Sequence, residues 1–326
     1  MAKTRVFSTH PLFDEARVIL DGQCDVEYWA KPERPSRDEI ASRIKDKDGL
    51  VCLLTDRINE DLLRAAPKLR IIANVAVGYD NLDVPACTKR NVIATNTPGV
   101  LDETTADFAW TLLMAVARRL VEGDTYARTG NWKGWNLDQM CGTDVWGKTL
   151  GIVGFGRIGR AVARRAAGFK MRILYTATKR ATVEIEKELG AEYRDLNALL
   201  AESDFVTPHV PLNSETRGLL DAPKFFRMKS TAFVVNTARG PVIDEAALVH
   251  ALEAGKIAGA ALDVFEQEPF IHPGLKRANV VMAPHMGSAS VETRSKMAAM
   301  AAHNVAAFFR GQRPPNMLNP EAFKTP

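Results

Sequence analysis

Several large functional classes are excluded by what this chain does not contain. It has only four cysteines, Cys24, Cys52, Cys87 and Cys141, with no CxxC pair and no metal-ligand spacing. Neither a disulfide framework nor a metal site is therefore expected. No apolar run is long enough to span a bilayer. The start, MAKTRVFSTH, lacks the apolar core of a signal peptide and reads as a first strand. Charge is not concentrated: 43 basic and 39 acidic residues leave a net +4 spread along the chain, unlike the basic patch of a nucleic-acid binder. Low-complexity segments are missing too, and 46% hydrophobic residues suffice for sizeable cores. A soluble cytoplasmic protein without nucleic-acid or membrane partners is expected, and 326 residues suit two domains.

What is present is an alternation of short β-rich runs with helical stretches. RVFST, VEYWA, GLVCLLT, RIIANVAV and VIATN read as strands, and between them lie charged segments such as INEDLLRAAPKL, with Asn59 as its N-cap. Near-continuous apolar strands alternating with helices indicate a parallel sheet covered on both faces. NTPG (96–99) breaks this pattern and reads as a hinge. A long helix is expected from Thr104 to Leu120, with Ala106, Ala109, Trp110, Leu113, Val116, Ala117 and Leu120 on a wide apolar face that suits either core packing or a subunit interface. A second series runs from KTLGIVGFG through RILYTA, FVTPHVP, TAFVVNTA, AGAALDVF and NVVMAPH, and a last helix covers roughly 291–310. The fold class is α/β, with two doubly wound parallel-sheet, Rossmann-like domains. A nucleotide-binding domain (100–288) is inserted into a substrate domain (1–99 and 289–326).

The strand ending at Val153 leads into GFGRIG and then directly into a helix. Gly154 permits a tight turn, Gly156 lets backbone approach a pyrophosphate, and Gly159 allows close helix–strand packing. The helix N-terminus offers N–H groups and partial positive charge to the phosphates. Strand, turn, helix and next strand in this order make a dinucleotide site the preferred reading over a bare structural turn. At the end of the second strand, where an Asp or Glu would grip the ribose of NAD, the chain has Thr176, followed by Thr178, Lys179 and Arg180. A hydroxyl with nearby cations suits a 2′-phosphate, so NADP(H) is preferred, with NAD(H) still admitted.

Three polar residues follow strands of the second series: Arg239, Glu268 and His285. Ligands of open α/β sheets bind at the carboxyl ends of strands, so all three suit one cleft. They are also the types needed for reduction of a 2-keto acid. Arg clamps a carboxylate, His donates a proton to the carbonyl oxygen, and Glu orients the imidazole and favours its acid form. Each alone also reads as an ordinary surface or strand-end residue.

Together, GFGRIG, NTARGPVIDEAALVHAL, GAALDVFEQEP and MAPHMGSAS resemble the D-isomer-specific 2-hydroxyacid dehydrogenase family over nearly the whole chain. The resemblance implies Arg239 as substrate-binding and carbonyl-polarising, His285 as acid/base and Glu268 as its partner. It implies that backbone N–H groups of Val77 and Gly78, in NVAVGYDNLD, hold the substrate carboxylate alongside Arg239 and His285. It places Asp263 near the nicotinamide carboxamide. The remaining cofactor residues it implies are Arg157, Ile158, His209, Val210, Pro211, Thr216, Thr237, Ala238 and Gly287, beside the three glycines and the 176–180 set. A homodimer is implied as well.

Within the family, the short tail after the last helix disfavours phosphoglycerate dehydrogenases with a regulatory domain, and Glu268 disfavours formate oxidation. ILYTATKR, Asn131–Trp132 and PHMGSAS resemble the glyoxylate/hydroxypyruvate reductases and their 2-ketogluconate-reductase relatives. Trp132 and Trp135 either reach a partner's active site or are plain packing residues. Gln139 stands where the mammalian reductases carry a bulky aromatic, so longer substrates are admitted. The expected activity is NADPH-preferring reduction of glyoxylate and hydroxypyruvate, with other 2-keto acids as alternatives. A corepressor-like, dinucleotide-sensing binding protein of the same fold is a distant second.

Overall fold

A computed structural model describes residues 3–324. Residues 1–2 and 325–326, the outermost residues of the expected substrate domain and part of the MAKTRVFSTH reading, lie outside the described residues. The chain divides into two compact units. One comprises the residues up to Leu101 and from Ala289 onward, and the other is Asp102–Ser288.

The first unit carries β1 (Thr4–Ser8), β2 (Cys24–Tyr28), β3 (Gly49–Cys52), β4 (Ile71–Asn74) and β5 (Ile93–Thr95), all parallel, in the order β2-β1-β3-β4-β5. Every residue of β3, β4 and β5 is buried, because helices cover both faces and no polar side is left for solvent. Asn59 caps the helix Glu60–Arg64 by accepting from the Leu62 N–H. The helix Val291–Phe309 starts at Ser290, whose hydroxyl accepts from the Thr293 N–H, and packs its alanine-rich face on this sheet. The segment from Ala289 onward thereby completes the core that the residues up to Leu101 begin.

The second unit has seven parallel strands: β6 (Thr149–Val153), β7 (Arg172–Thr176), β8 (Ala191–Tyr193), β9 (Phe205–Pro208), β10 (Phe233–Asn236), β11 (Gly259–Leu262) and β12 (Val280–Met282). Their order is β12-β11-β10-β9-β6-β7-β8, so the direction of winding reverses between β6 and β9. A crevice at the carboxyl ends of these two strands is where such sheets bind ligands.

The expected helix from Thr104 to Leu120 is corrected in two respects. It spans Asp102–Ala117, and a separate helix, Leu120–Arg128, begins after Arg119 adopts a left-handed conformation with φ of 52°. The break is stabilised by the Thr143 N–H, which donates to the Ala117 carbonyl at 2.7 Å, and by the Arg119–Glu122 ion pair. Ala106, Ala109, Trp110, Leu113, Val116 and Ala117 all lie within the unit's own core, so these positions pack within the chain. Leu120, the seventh position, is exposed. Among the described residues no helix is long and apolar enough to cross a membrane.

Candidate active site

The glycine-rich turn sits at the β6 end of the reversal point. Gly154 has φ of +96°, and a Cβ there would lie 2.6 Å from the His209 carbonyl oxygen, so both conformation and space require glycine. A Cβ on Gly159 would meet the Gly154 carbonyl oxygen at 2.2 Å, which explains the close seating of helix Arg157–Ala166 on the turn. Gly156, the N-cap of that helix, differs: a Cβ there meets nothing within 4 Å. The space above Gly156 is what a pyrophosphate lying on the helix N-terminus needs. Arg157 is exposed on the first turn and pairs with Asp102, while Ile158 is half-buried against the core.

β9 brings the HVP segment to the same place. The His209 N–H donates to the Val153 carbonyl at 2.7 Å, and its Nε2 lies 3.0 Å from the Thr207 hydroxyl. Burial pushes the His209 imidazole down to about 4, so it is neutral near neutral pH. Thr216 closes this loop by donating to the Pro211 carbonyl at 2.6 Å, and Val210 packs beside Gly154. Next along the sheet, after β10, Thr237 is buried and its hydroxyl has no hydrogen-bond partner among the described residues. An orphaned buried hydroxyl is costly unless a ligand satisfies it. With the open Gly156 cradle, it fits a bound dinucleotide. Ala238, the next residue, donates its N–H to the Asn236 side chain.

At the end of β7, Thr176 is half-buried, and Thr178, Lys179 and Arg180 are exposed. The Arg180 guanidinium is fixed from two sides. Its Nε and Nη2 donate to Glu186 at 2.8 and 3.0 Å, and it stacks 5.5 Å from the Tyr193 ring centroid. Glu186 also accepts from the hydroxyl of buried Tyr175 at 2.6 Å. Hydrogen bonds from Arg180 and then Tyr175 hold the Glu186 carboxyl down at about 2, so the pair stays ionised. Glu186 and Tyr193 escaped the sequence reading. The acid at a six-residue distance from Arg180 was the only available signal.

Arg239, Glu268 and His285 all emerge beyond the carboxyl ends of β10, β11 and β12. The Asn236 side chain holds the Arg239 carbonyl at 2.9 Å, and Arg239 Nη1 donates to the Ala238 carbonyl at 2.9 Å. Gly240 then runs against the Phe265 backbone, where a Cβ would fall 1.9 Å from the Phe265 carbonyl. This contact seats the loop that carries Glu268. Glu268 accepts the Phe265 N–H at 3.1 Å through Oε1, and its Oε2 lies 2.8 Å from His285 Nδ1. Burial alone would raise the Glu268 pKa. The hydrogen bond and charge of His285, the Phe265 N–H and the field of Arg239 outweigh it and lower it below the usual range.

His285 sits at φ of 56°, an uncommon conformation for a non-glycine residue. Asp263 enforces it. Its carbonyl accepts the His285 N–H at 2.8 Å, and its carboxylate oxygens accept Met286 and Gly287 N–H at 2.6 and 2.7 Å. Burial raises the Asp263 pKa despite these N–H groups. Asp263 and Gly287, expected as cofactor residues, thus form the clamp that aims the imidazole.

In the other unit, Val77 and Gly78 follow β4 and are half-buried, and among the described residues neither N–H donates to a protein acceptor. Trp132 and Trp135 are exposed, at 58% and 78%, which excludes plain packing within the chain.

Residues 110–287 match the family model described as the D-isomer specific 2-hydroxyacid dehydrogenase NAD binding domain. The chain is 55% identical to the glyoxylate reductase of Korarchaeum cryptofilum, over 99% of this chain and 98% of that one. It is 50% identical to the glyoxylate reductase of Aeropyrum pernix, with the same coverage. Among solved structures, it resembles the NADPH-dependent glyoxylate/hydroxypyruvate reductase of Sinorhizobium meliloti in complex with NADP and malonate. The TM-score is 0.88 at 31% identity, covering 99% of each chain.

Proposed function

The chain belongs to the D-isomer-specific 2-hydroxyacid dehydrogenase family, and from that premise we propose an NADPH-preferring reductase of small 2-keto acids, glyoxylate and hydroxypyruvate first, that forms D-2-hydroxy acids. The observation that carries this reading is the 2.8 Å contact between His285 Nδ1 and Glu268 Oε2, in the same sheet whose reversal point holds the Gly154 turn. With Nδ1–H committed to the carboxylate, Nε2 is the position from which the protonated ring donates to a carbonyl oxygen. Glu268 fixes the ring plane through this contact. Arg239 binds the substrate carboxylate and draws charge towards the carbonyl oxygen, and the Val77 and Gly78 N–H groups are the further carboxylate donors that the family resemblance implies.

The dinucleotide fits the residues present: Gly154, Gly156, Gly159, Arg157 and Ile158 for the pyrophosphate end, and His209–Pro211, Thr216, Thr237 and Ala238 along the strand ends. Bound, its nicotinamide supplies the hydride that converts the keto carbon to an alcohol carbon. Preference for NADPH rests on Thr176 in place of an acid, on exposed Lys179, and on the fixed mount of Arg180. The dependence of the S. meliloti relative on NADPH points the same way.

A homodimer in a reducing cytoplasm belongs to the same reading. Exposed Leu120, Val121, Trp132, Trp135 and Leu137 offer an apolar surface for it, and Cys24, Cys52 and Cys87 are buried thiols. Steady-state rates for glyoxylate, hydroxypyruvate, 2-ketogluconate, pyruvate and phenylpyruvate, each with NADPH and NADH, test the proposal. The highest kcat/KM is expected for glyoxylate or hydroxypyruvate with NADPH. A preference for NADH, or no turnover with any of the five, would overturn it.

A further inference from the structure

Beneath the Val77–Gly78 turn lies a set of buried asparagines. Asn74, at the end of β4, is fully buried, and its Nδ2 donates to the Gly78 carbonyl at 3.0 Å. Asn96, just after β5 and 8% exposed, donates from Nδ2 to the Val77 carbonyl at 2.8 Å. The next residue, Thr97, donates its backbone N–H to the Ala76 carbonyl at 2.9 Å. Three consecutive carbonyls, 76 to 78, are therefore drawn inward.

A trans peptide unit points its C=O and N–H in opposite directions. Inward carbonyls at 76 and 77 consequently turn the Val77 and Gly78 N–H groups outward. The Asn96 bond does more than orient, because the Val77 carbonyl and the Gly78 N–H belong to one peptide group. A donor on the oxygen polarises that group and strengthens its N–H as a donor.

The braces are themselves held. Asn74 pairs amide to amide with Asn81, which anchors to the Leu53 and Asp56 carbonyls at 3.1 and 3.0 Å. The Asn96 N–H donates to the Asn316 carbonyl at 3.3 Å. Asn316 is tied in turn to fully buried Asn304 on the last helix. These buried side-chain amides are costly to place in a core unless every group is paired.

We propose that Asn96, assisted by Asn74, is a positioning residue for substrate: it aims and polarises the Val77–Gly78 peptide so that its N–H groups receive a carboxylate. NTPG is thus a brace for the substrate-binding turn. The inference rests on the assignment of that turn to the substrate carboxylate.

The test compares wild type with Asn96→Ala on glyoxylate and on glycolaldehyde, an uncharged carbonyl of similar size. The backbone bonds from Asn96 to Asn316 and Asn304 do not involve its side chain, so the variant is expected to fold. Asn96→Ser, whose hydroxyl is too short to reach Val77, serves the same comparison should the alanine variant be insoluble. The expected result is a KM for glyoxylate raised about tenfold with kcat little altered, the size of one weakened charge-assisted hydrogen bond. The glyoxylate-to-glycolaldehyde ratio of kcat/KM should fall by the same factor, and amide exchange in the peptide 76–80 should accelerate. Equal losses on both carbonyls, or an unchanged KM for glyoxylate, would overturn the role of Asn96. If wild type itself does not favour glyoxylate over glycolaldehyde, the carboxylate assignment fails first, and the role of Asn96 falls with it.

Discussion

Glu268→Gln removes the charge beside His285 while keeping nearly the same shape. The carboxamide oxygen can still accept from Nδ1–H, as Oε2 does now at 2.8 Å, so ring orientation is largely retained. What is lost is the difference between a charge-assisted hydrogen bond, ~1.5–3 kcal/mol, and a neutral one, ~0.5–1.5 kcal/mol. About 1–1.5 kcal/mol corresponds to about tenfold in rate. Glu268→Gln should therefore lower kcat/KM for glyoxylate reduction about tenfold with the NADPH dissociation constant nearly unchanged, and Glu268→Ala, which removes the acceptor as well, should lower it further. Initial rates at saturating NADPH, beside NADPH titrations, read this out. Wild-type kcat/KM in Glu268→Gln would refute the claim that the Glu268 charge supports His285.

Two further outcomes follow from the structure. Lys179→Ala with Arg180→Ala should weaken NADPH binding by about 10- to 100-fold, the loss of one or two phosphate contacts, while NADH binding by fluorescence titration changes little; equal losses would remove the 2′-phosphate assignment. His209 lies near 4 when folded against an ordinary 6.5, so the unfolded chain binds more protons between these values and stability rises with pH across that window. Urea unfolding of wild type should lose up to about 3 kcal/mol between pH 6.5 and 4 through this group. His209→Gln should flatten that slope, and an unaltered slope would show that His209 is not the group responsible.

Sequence pattern exposed those parts of the molecule in which a residue type and a local geometry coincide. Both sheets were legible because strands buried on both faces, such as FVVN and GAAL, have no polar alternation and resemble little else. GFGRIG declared itself because a strand, three spaced glycines and a helix leave few alternatives. The three-residue strand at Ala191–Tyr193 was missed, being too short for a periodicity. The break at Arg119 was missed because Leu120 continues the apolar spacing, and what ends the helix is a contact from Thr143, distant in sequence. The same holds within the candidate site. Arg239, Glu268 and His285 each read alone as ordinary residues, but all three follow strands and together are the types that reduction of a 2-keto acid needs. Asn74, Asn96 and Asn304 act through pairings that span up to 208 positions, as between Asn304 and Asn96. Asparagine after a strand ordinarily means a turn. Only its partners reveal a brace, and partners of that kind are a property of the folded chain.

Reduction of a 2-keto acid with NADPH through His285 is checked by the initial rate of glyoxylate-dependent NADPH oxidation for wild type and His285→Ala, with the NADPH dissociation constant measured for both. Robust turnover is expected of wild type and a loss of several orders of magnitude in the variant, with the dissociation constant nearly the same. Comparable turnover by His285→Ala, or none by wild type at saturating glyoxylate, would contradict this expectation.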